Sequence, residues 1–447
     1  MNWENLLSLR RDGDITKRLR KEENPIRSGF EVDFDRIIFS SAFRCLQDKT
    51  QVIPLPKSGF VHNRLTHSLE TSSVGRSLGR IVGKMILDKH PHLKQTLGYQ
   101  IDDFGAIVAA ACLAHDIGNP PFGHFGEKAI GNYFSNGKGL HYKEYLTTKQ
   151  WHDLTRFEGN ANGFKILTQH KNGIKGGVRL TYATLGTFTK YPKDAVPIEN
   201  SLLKSQKKFG FFQSEREQFE AIAQELNLEK IDSQSWMRHP LAYLLEAADD
   251  ICYSIIDFED GLNLGWIPEE AALEFMIPIV KDVLITEKYH KMTVPSDRFS
   301  YLRALTIGVL VQDLAQVFIK NEEAILCGTF NHALLDKSKY NAQVDDIKRL
   351  TIEKVYNHPK VLETEAFGHE IITGILHTFV TAVNLVHEGK ASYYNHHILK
   401  LLPSEYHSNK NDSLYTRILN ITSFVSEMTD KNAISLYKKL KGIELVS

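Results

Sequence analysis

What this chain has little of narrows it first. Its 447 residues include only four cysteines, Cys45, Cys112, Cys252 and Cys327, widely separated and with no CxxC pair. That spacing excludes a disulfide framework or a zinc knuckle and fits a reducing compartment. Neither sign of charge is in excess: 54 basic and 54 acidic residues give a formal net charge of zero. No global basic field therefore argues for nucleic acid as the main ligand. The longest apolar run, Phe104 to Ala114, is too short to cross a bilayer. The opening Met1-Asn2-Trp3-Glu4-Asn5 is polar and has no signal-peptide apolar region. The expectation is a soluble cytoplasmic protein with no membrane partner. Repeats, low-complexity tracts and clear linkers are also missing.

What is present reads as helix. The chain is 42% hydrophobic, enough for a large core. Leu78, Ile81, Val82, Met85 and Ile86 fall on one helical stripe, and Leu302, Leu305, Val309, Leu310, Leu314, Val317 and Phe318 on another. Residues 104–116 are small and apolar on every side, as in a buried central helix, which Gly118 and Pro120-Pro121 should end. The fold expected is all-α, one unit over 1–447, with a core at 36–265 and a C-terminal helical extension at 266–447. That extension should complete the pocket and supply oligomer contacts. The basic stretches at Lys204 to Lys208 and Lys171 to Arg179 read as solvated faces; 171–177 is a short hairpin or a mobile loop.

Chemistry concentrates in a few places. His115 and Asp116 stand side by side where the central helix should stop, and His67 and Asp249 occupy helical positions elsewhere. Adjacent helical residues point about 100° apart, so a His-Asp doublet shares one ion only near a helix end. Two imidazoles and two carboxylates suit one divalent ion with open positions. Asp249 competes with Asp250 for this role. Glu246, Asp249, Tyr253 and Asp257 form one polar stripe on a helix that should follow Pro240 and run to about Asp257. Buried carboxylates are costly unless paired or bound to a cation, and Asp249 is preferred because Tyr253 and Asp257 would line the same cavity.

Taken in order, these motifs resemble one family. They are Phe43-Arg44-Cys45-Leu46-Gln47-Asp48-Lys49-Thr50-Gln51-Val52, Arg64-Leu65-Thr66-His67-Ser68, His115 to Glu127, Phe157-Glu158-Gly159-Asn160-Ala161, Lys190-Tyr191-Pro192 and Glu246 to Tyr253. The succession resembles the deoxyguanosine triphosphate triphosphohydrolase (dGTPase) branch of the HD-domain metal phosphohydrolases. It runs from about Arg36 to Asp260 and continues more weakly through Lys354-Val355-Tyr356-Asn357-His358. Cys45 departs from the pattern, where a second arginine is expected, and Asn162 stands where Gln is common.

The resemblance implies an HD-type helical architecture and hydrolysis of a deoxynucleoside triphosphate, dGTP above all, to deoxynucleoside and intact triphosphate. It assigns one divalent ion (manganese, magnesium, iron or cobalt) to His67, His115, Asp116 and Asp249. His124 and Glu127 match the pair beside the metal. Gln51, Tyr253 and Asp257 match deoxyribose contacts, Arg64, Lys190 and Tyr191 phosphate contacts, and Arg44 a pocket-lining arginine. It further implies a homo-oligomer, with a hexamer as the recurring assembly, and a regulatory nucleotide. An imidazole at His124 suits proton transfer to a leaving oxygen or positioning of water, and Tyr253 against C2′ would crowd a ribose hydroxyl. Two rivals stay open: an HD phosphodiesterase or phosphatase acting on other nucleotides, and a nucleotide sensor or single-stranded DNA-binding protein.

Overall fold

The computed structural model describes residues 1–52, 61–170, 177–199 and 201–443. Among these it is all-α: helices follow one another from end to end, and pairing between extended segments is limited to isolated bridges. Residues 171–176, the hairpin-or-loop question, lie outside the described residues. The helices that place the site are α1 (Arg64–Lys89), α2 (Ile101–Ala114), α3 (His124–Ser135), α4 (Gly159–Thr168) and α5 (Ala242–Asn263). The C-terminal half adds α6 (Pro295–Lys320), α7 (Pro359–His387), α8 (Leu414–Glu427) and α9 (Asp430–Leu440).

Two helices form the centre. Asn63 caps α1, its side chain accepting from Thr66 N–H at 3.0 Å while the Thr66 hydroxyl accepts from Asn63 N–H at 3.1 Å; this reciprocal pair satisfies two donors of the first turn. Along α1, Gly75, Gly79 and Gly83 recur every four residues, on one face. A Cβ on Gly79 would lie 2.6 Å from the Phe104 carbonyl oxygen, and one on Gly83 2.7 Å from the Phe104 side chain. The stripe lets α1 and α2 approach almost backbone to backbone, so His67 near the start of α1 meets His115 just past the end of α2. As the sequence predicts, α2 is buried all round, with Phe104, Ile107, Val108, Ala110, Ala111, Leu113 and Ala114 fully enclosed.

The α2 stop is geometric as well as local. Gly118 has φ +102°, and a Cβ there would lie 2.1 Å from the backbone nitrogen of Gly163 on α4. Only glycine fits such a positive φ under another backbone. By contrast, α5 runs to Asn263, beyond the expected end near Asp257. The acidic residues beyond Asp257 are accommodated within the helix: Glu259 pairs with Arg303 and Asp260 with His62, while Phe258 is fully buried.

Apolar side chains gather in two clusters. One surrounds α1, α2, α5 and α6. The other joins Ile130 and Phe134 of α3 to Ile372 and Phe379 of α7, Ile418 and Val425 of α8, and Ala433 of α9. The second core thus combines a segment just after the His-Asp doublet with the last helices. Within α6 and α7, windows of mean hydropathy 1.5 and 1.2 make both helices long and apolar enough to cross a membrane. Leu302, Leu310, Leu314 and Phe318 of α6, and Ile372, Ile375 and Phe379 of α7, are instead fully enclosed by protein.

A buried acid joins the two halves. Asp153 accepts from Gln213 N–H at 2.8 Å and from the Tyr415 hydroxyl, while its Oδ1 has no partner. Burial pushes this carboxyl up to about 8. An acid raised above its unfolded value stabilises the fold fully below that value, near pH 3.9, and loses the contribution as pH rises through the folded one. Stability should therefore fall between pH 4 and 8, by at most about 1.4 kcal/mol per pH unit from this group. Asp153→Asn is expected to flatten that slope and raise stability at pH 8, as read by urea unfolding at several pH values. An unchanged slope would mean that Asp153 is ionised in the fold.

Candidate active site and metal centre

A cavity of about 450 Å³ opens where α1, α2, α3, α5 and α7 converge. Ligand atoms of His67, His115 and Asp116, all buried, lie within 4.8 Å of one another at its floor. Asp249 Oδ1 lies 3.2 Å from His67 Nε2 and 3.4 Å from His115 Nε2. The backbone sets the ring of His115: its Nδ1 contacts the Cys112 carbonyl at 2.6 Å. A carbonyl can only accept, so Nδ1 carries the proton and Nε2 offers a lone pair to the cluster. His115 Nε2 and Asp116 Oδ2 are buried without a hydrogen-bond partner. Buried polar atoms left unpaired are uncommon, and here they converge with two further donors. That donor set fits a divalent cation with mixed nitrogen and oxygen ligands.

The acids are already balanced by fixed cations. Arg64 donates to Asp116 Oδ1 at 2.7 Å, as does the Asn119 amide at 2.6 Å. Lys190 Nζ donates to Asp249 Oδ2 at 2.9 Å. Burial alone would raise the Asp249 carboxyl, but the Lys190 ammonium together with the His115 and His67 contacts holds it well below the usual range. The same opposition acts at Asp116, where Arg64 and the neighbouring imidazoles together outweigh burial and the carboxyl is lowered. Both acids are ionised at neutral pH and ready to ligate.

A second pair stands at the mouth. His124 opens α3 and is 68% exposed, facing the cavity; its Nδ1 lies 2.6 Å from Glu127 Oε2. Glu127 also accepts from Gly159 N–H at 2.7 Å. Burial would push Glu127 up, yet the His124 contact, the Lys208 charge and that N–H draw it well down. An ionised Glu127 requires the proton on His124 Nδ1, which leaves Nε2 to accept or deliver a proton. The turn before His124 is strained, with Phe122 at φ +62° and Gly123 at φ +60°. For phenylalanine this conformation costs roughly 1–3 kcal/mol and must be held by its surroundings.

Most expected contacts are brought together, with two differences. Gln51, Arg64, Lys190, Tyr191 and Tyr253 line the cavity beside the metal cluster and His124, and Gln51 Oε1 is buried without a partner. Asp250 lines it as well as Asp249, so the choice between them does not leave Asp250 outside. Glu246, on the same stripe, is taken up by Arg238 at 2.7 Å. Asp257 is a correction: it lies one layer behind the wall, accepting from the Tyr356 hydroxyl at 2.6 Å, and burial pushes it up to about 7. Tyr356 presents that contact to the cavity in its place. Arg44 is the other correction. It ends the short helix Ser41–Arg44 beside the buried Phe43, is exposed, and is not among the residues that line the cavity.

Several wall residues escaped the sequence reading. Lys208, assigned to a solvated basic face, lines the cavity and donates to Glu158 at 2.9 Å. The signal was the following Phe209-Gly210-Phe211-Phe212, whose phenylalanines are buried and draw Lys208 inward. Burial and the Glu127 charge raise the Glu158 carboxyl despite Lys208. Asn119 and Asn160 also line the wall, and from α7 come Val361, Thr364 and Glu365. Lys49 is buried against the backbone carbonyls of Asn119 and Ser426, at 2.6 and 2.7 Å, and burial lowers it to about 8.

Known proteins resemble this chain over its full length. Residues 64–168 match the HD domain, the span that carries His67, His115, Asp116, His124 and Glu127. Residues 334–439 match the phosphohydrolase-associated domain, which holds α7, α8 and α9. The chain is 40% identical to a deoxyguanosinetriphosphate triphosphohydrolase-like protein of Synechocystis over 458 aligned residues, covering all of both chains. It is 37% identical to one of Pseudomonas aeruginosa, covering 99% of each. Against a deoxyguanosinetriphosphate triphosphohydrolase of Yersinia pestis the identity is 33%, over 95% of this chain and 96% of that one. The chain belongs to the dGTPase-like family of HD-domain phosphohydrolases.

Proposed function

We propose that this chain hydrolyses a deoxynucleoside triphosphate at its α-phosphorus, releasing deoxynucleoside and inorganic triphosphate. One observation carries the reading: a single cavity is lined by the His67, His115, Asp116 and Asp249 donors, by His124 with Glu127 bonded behind it, and by three cations, Arg64, Lys190 and Lys208. A divalent ion bound by the four donors would polarise the α-phosphate and lower the pKa of a bound water. The chain's own residues do the rest. Arg64, Lys190 and Lys208 offset the negative charge of the triphosphate and fix its position, the main source of rate in phosphoryl transfer. His124, its ring held by Glu127, gives a proton to the departing 5′-oxygen or takes one from the attacking water.

Selection follows from the same walls. Tyr253, at the cavity edge, would crowd a 2′-hydroxyl, and Gln51 and Tyr356 offer polar atoms to the sugar. Glu365 on α7 adds a carboxylate, and a carboxylate suits the adjacent N1–H and N2–H donors of guanine better than the edges of other bases. dGTP is accordingly the substrate to try first. Homo-oligomerisation, with a hexamer the first assembly to look for, and regulation by a second nucleotide extend the reading, as does a cytoplasmic location.

The test is product analysis. The purified chain is incubated with manganese and each deoxy- and ribonucleoside triphosphate, singly and in pairs, and products are resolved by anion exchange. Intact triphosphate plus deoxynucleoside, lost in a His115→Ala/Asp116→Ala variant, is expected. Orthophosphate or pyrophosphate would establish the phosphatase or phosphodiesterase alternative. Nucleotide or single-stranded DNA binding with no turnover would establish the sensor.

A further inference from the structure

The turn that carries His124 is anchored from the far end of the chain. Phe122 N–H donates to Asp430 Oδ1 at 3.0 Å. The other oxygen of Asp430 accepts from Thr50 N–H at 3.0 Å and from the Thr50 hydroxyl. Thr50 and Gln51 line one part of the cavity, and Phe122, Gly123 and His124 another. A single carboxylate, 1% exposed at the start of α9, therefore ties two walls together. Adjacent contacts run the same way: the Ser426 hydroxyl donates to the Gly118 carbonyl at 2.8 Å. The Phe122 ring also lies under α7, where a Cβ on Gly368 would come within 2.8 Å of it.

The chemistry of the anchor is specific. Phe122 and Gly123 both have positive φ, a conformation the turn does not keep by local preference. Three donors converge on Asp430, and an ionised carboxylate can accept all of them, with no hydrogen to clash. An amide offers one acceptor oxygen and would set an NH₂ group against an N–H. We infer that Asp430 is a positioning residue for the active site, holding His124 through the Phe122 turn and Gln51 through Thr50. The inference rests on the proposed reading that His124 acts at the substrate phosphate. It makes the phosphohydrolase-associated region a working part of the site.

The test uses the full chain, manganese and a nucleotide that the parent protein cleaves. Asp430→Asn is expected to lower kcat at least about tenfold, because displacements near 1 Å are that costly to a reacting group. Manganese bound per chain should stay the same, and the Phe122–Phe125 amides should exchange hydrogen faster. In a His124→Ala background the same substitution should change the residual kcat by less than about twofold, since effects acting through one residue are not additive. A purely structural Asp430 would lower the melting temperature and leave kcat per folded, metal-loaded molecule intact; that result, or equal losses in both backgrounds, overturns the inference. If Asp430→Asn does not fold, Gly368→Ala pushes the Phe122 ring from the other side and should lower kcat, while Thr50→Val should raise KM; neither change would overturn it. A parent that cleaves no nucleotide defeats the proposed function instead. Exchange at Phe122–Phe125 then decides alone, and unaltered rates in Asp430→Asn overturn the inference.

Discussion

Asp249→Ala is expected to cost the protein both its metal and its turnover. Asp249 sits between two imidazoles and a lysine, and its removal takes away one of four donors. Affinity for manganese should fall at least about a hundredfold, since even residues behind the ligands are worth 10–100-fold. kcat/KM should fall about a thousandfold or more, because the ion contributes several kcal/mol of charge stabilisation. A second effect follows from the partner. Lys190 is buried and loses its carboxylate. Breaking a fully buried pair costs about 3–5 kcal/mol, but Asp249 is 25% exposed to the cavity, so a loss of about 1–3 kcal/mol is the sensible expectation. Adding Lys190→Met should restore stability without restoring activity, as read by thermal unfolding in chelator beside calorimetric manganese titration. Unchanged manganese affinity in Asp249→Ala would remove Asp249 from the ligand set.

His124→Ala should act in the opposite way, sparing the metal and removing the proton transfer. General acid–base groups are worth roughly 10²–10⁴ in rate, and the loss should fall on kcat with little change in KM or manganese binding. Glu127→Gln should cost less, since a neutral amide can still accept from the ring. Its pH signature has a definite sign. Glu127 is held well below the usual range, so its contribution to stability is complete above the unfolded value near pH 4.3 and is lost as pH falls toward the folded one. Glu127→Gln should therefore lower stability at pH 7 and blunt its further fall below pH 4.5. A His124→Ala chain that kept half its kcat would move the proton transfer elsewhere.

The grouping of the candidate metal donors was legible because most of it is written locally. An apolar helix that stops at Gly118 leaves His115 and Asp116 at its end, and the glycine stripe of α1 lets His67 come near. Residues whose role depends on distant packing were not legible. Lys208 looks like any surface lysine until Phe209 and Phe212 bury the segment beside it. Asp430 sits in a polar helix start that resembles any N-terminal cap. Glu365 carries no spacing signal at all, because its neighbours come from other helices. Arg44 went the other way: the motif around it is familiar, but Phe43 takes the buried side of a four-residue helix and Arg44 is left exposed.

The seam at Asp430 also bears on how the protein is made. Phe122 and Gly118 meet partners 308 residues further along, and Thr50 one 380 residues along. A ribosome adding roughly 5–20 residues per second takes tens of seconds to bridge such gaps. During that interval α1 and α2 can already pair and set the four metal donors once α5 is out. The strained turn and part of the apolar face of α3 wait for α7 to α9. On this order of synthesis the four candidate donors can come together before the turn that carries His124 has its anchor.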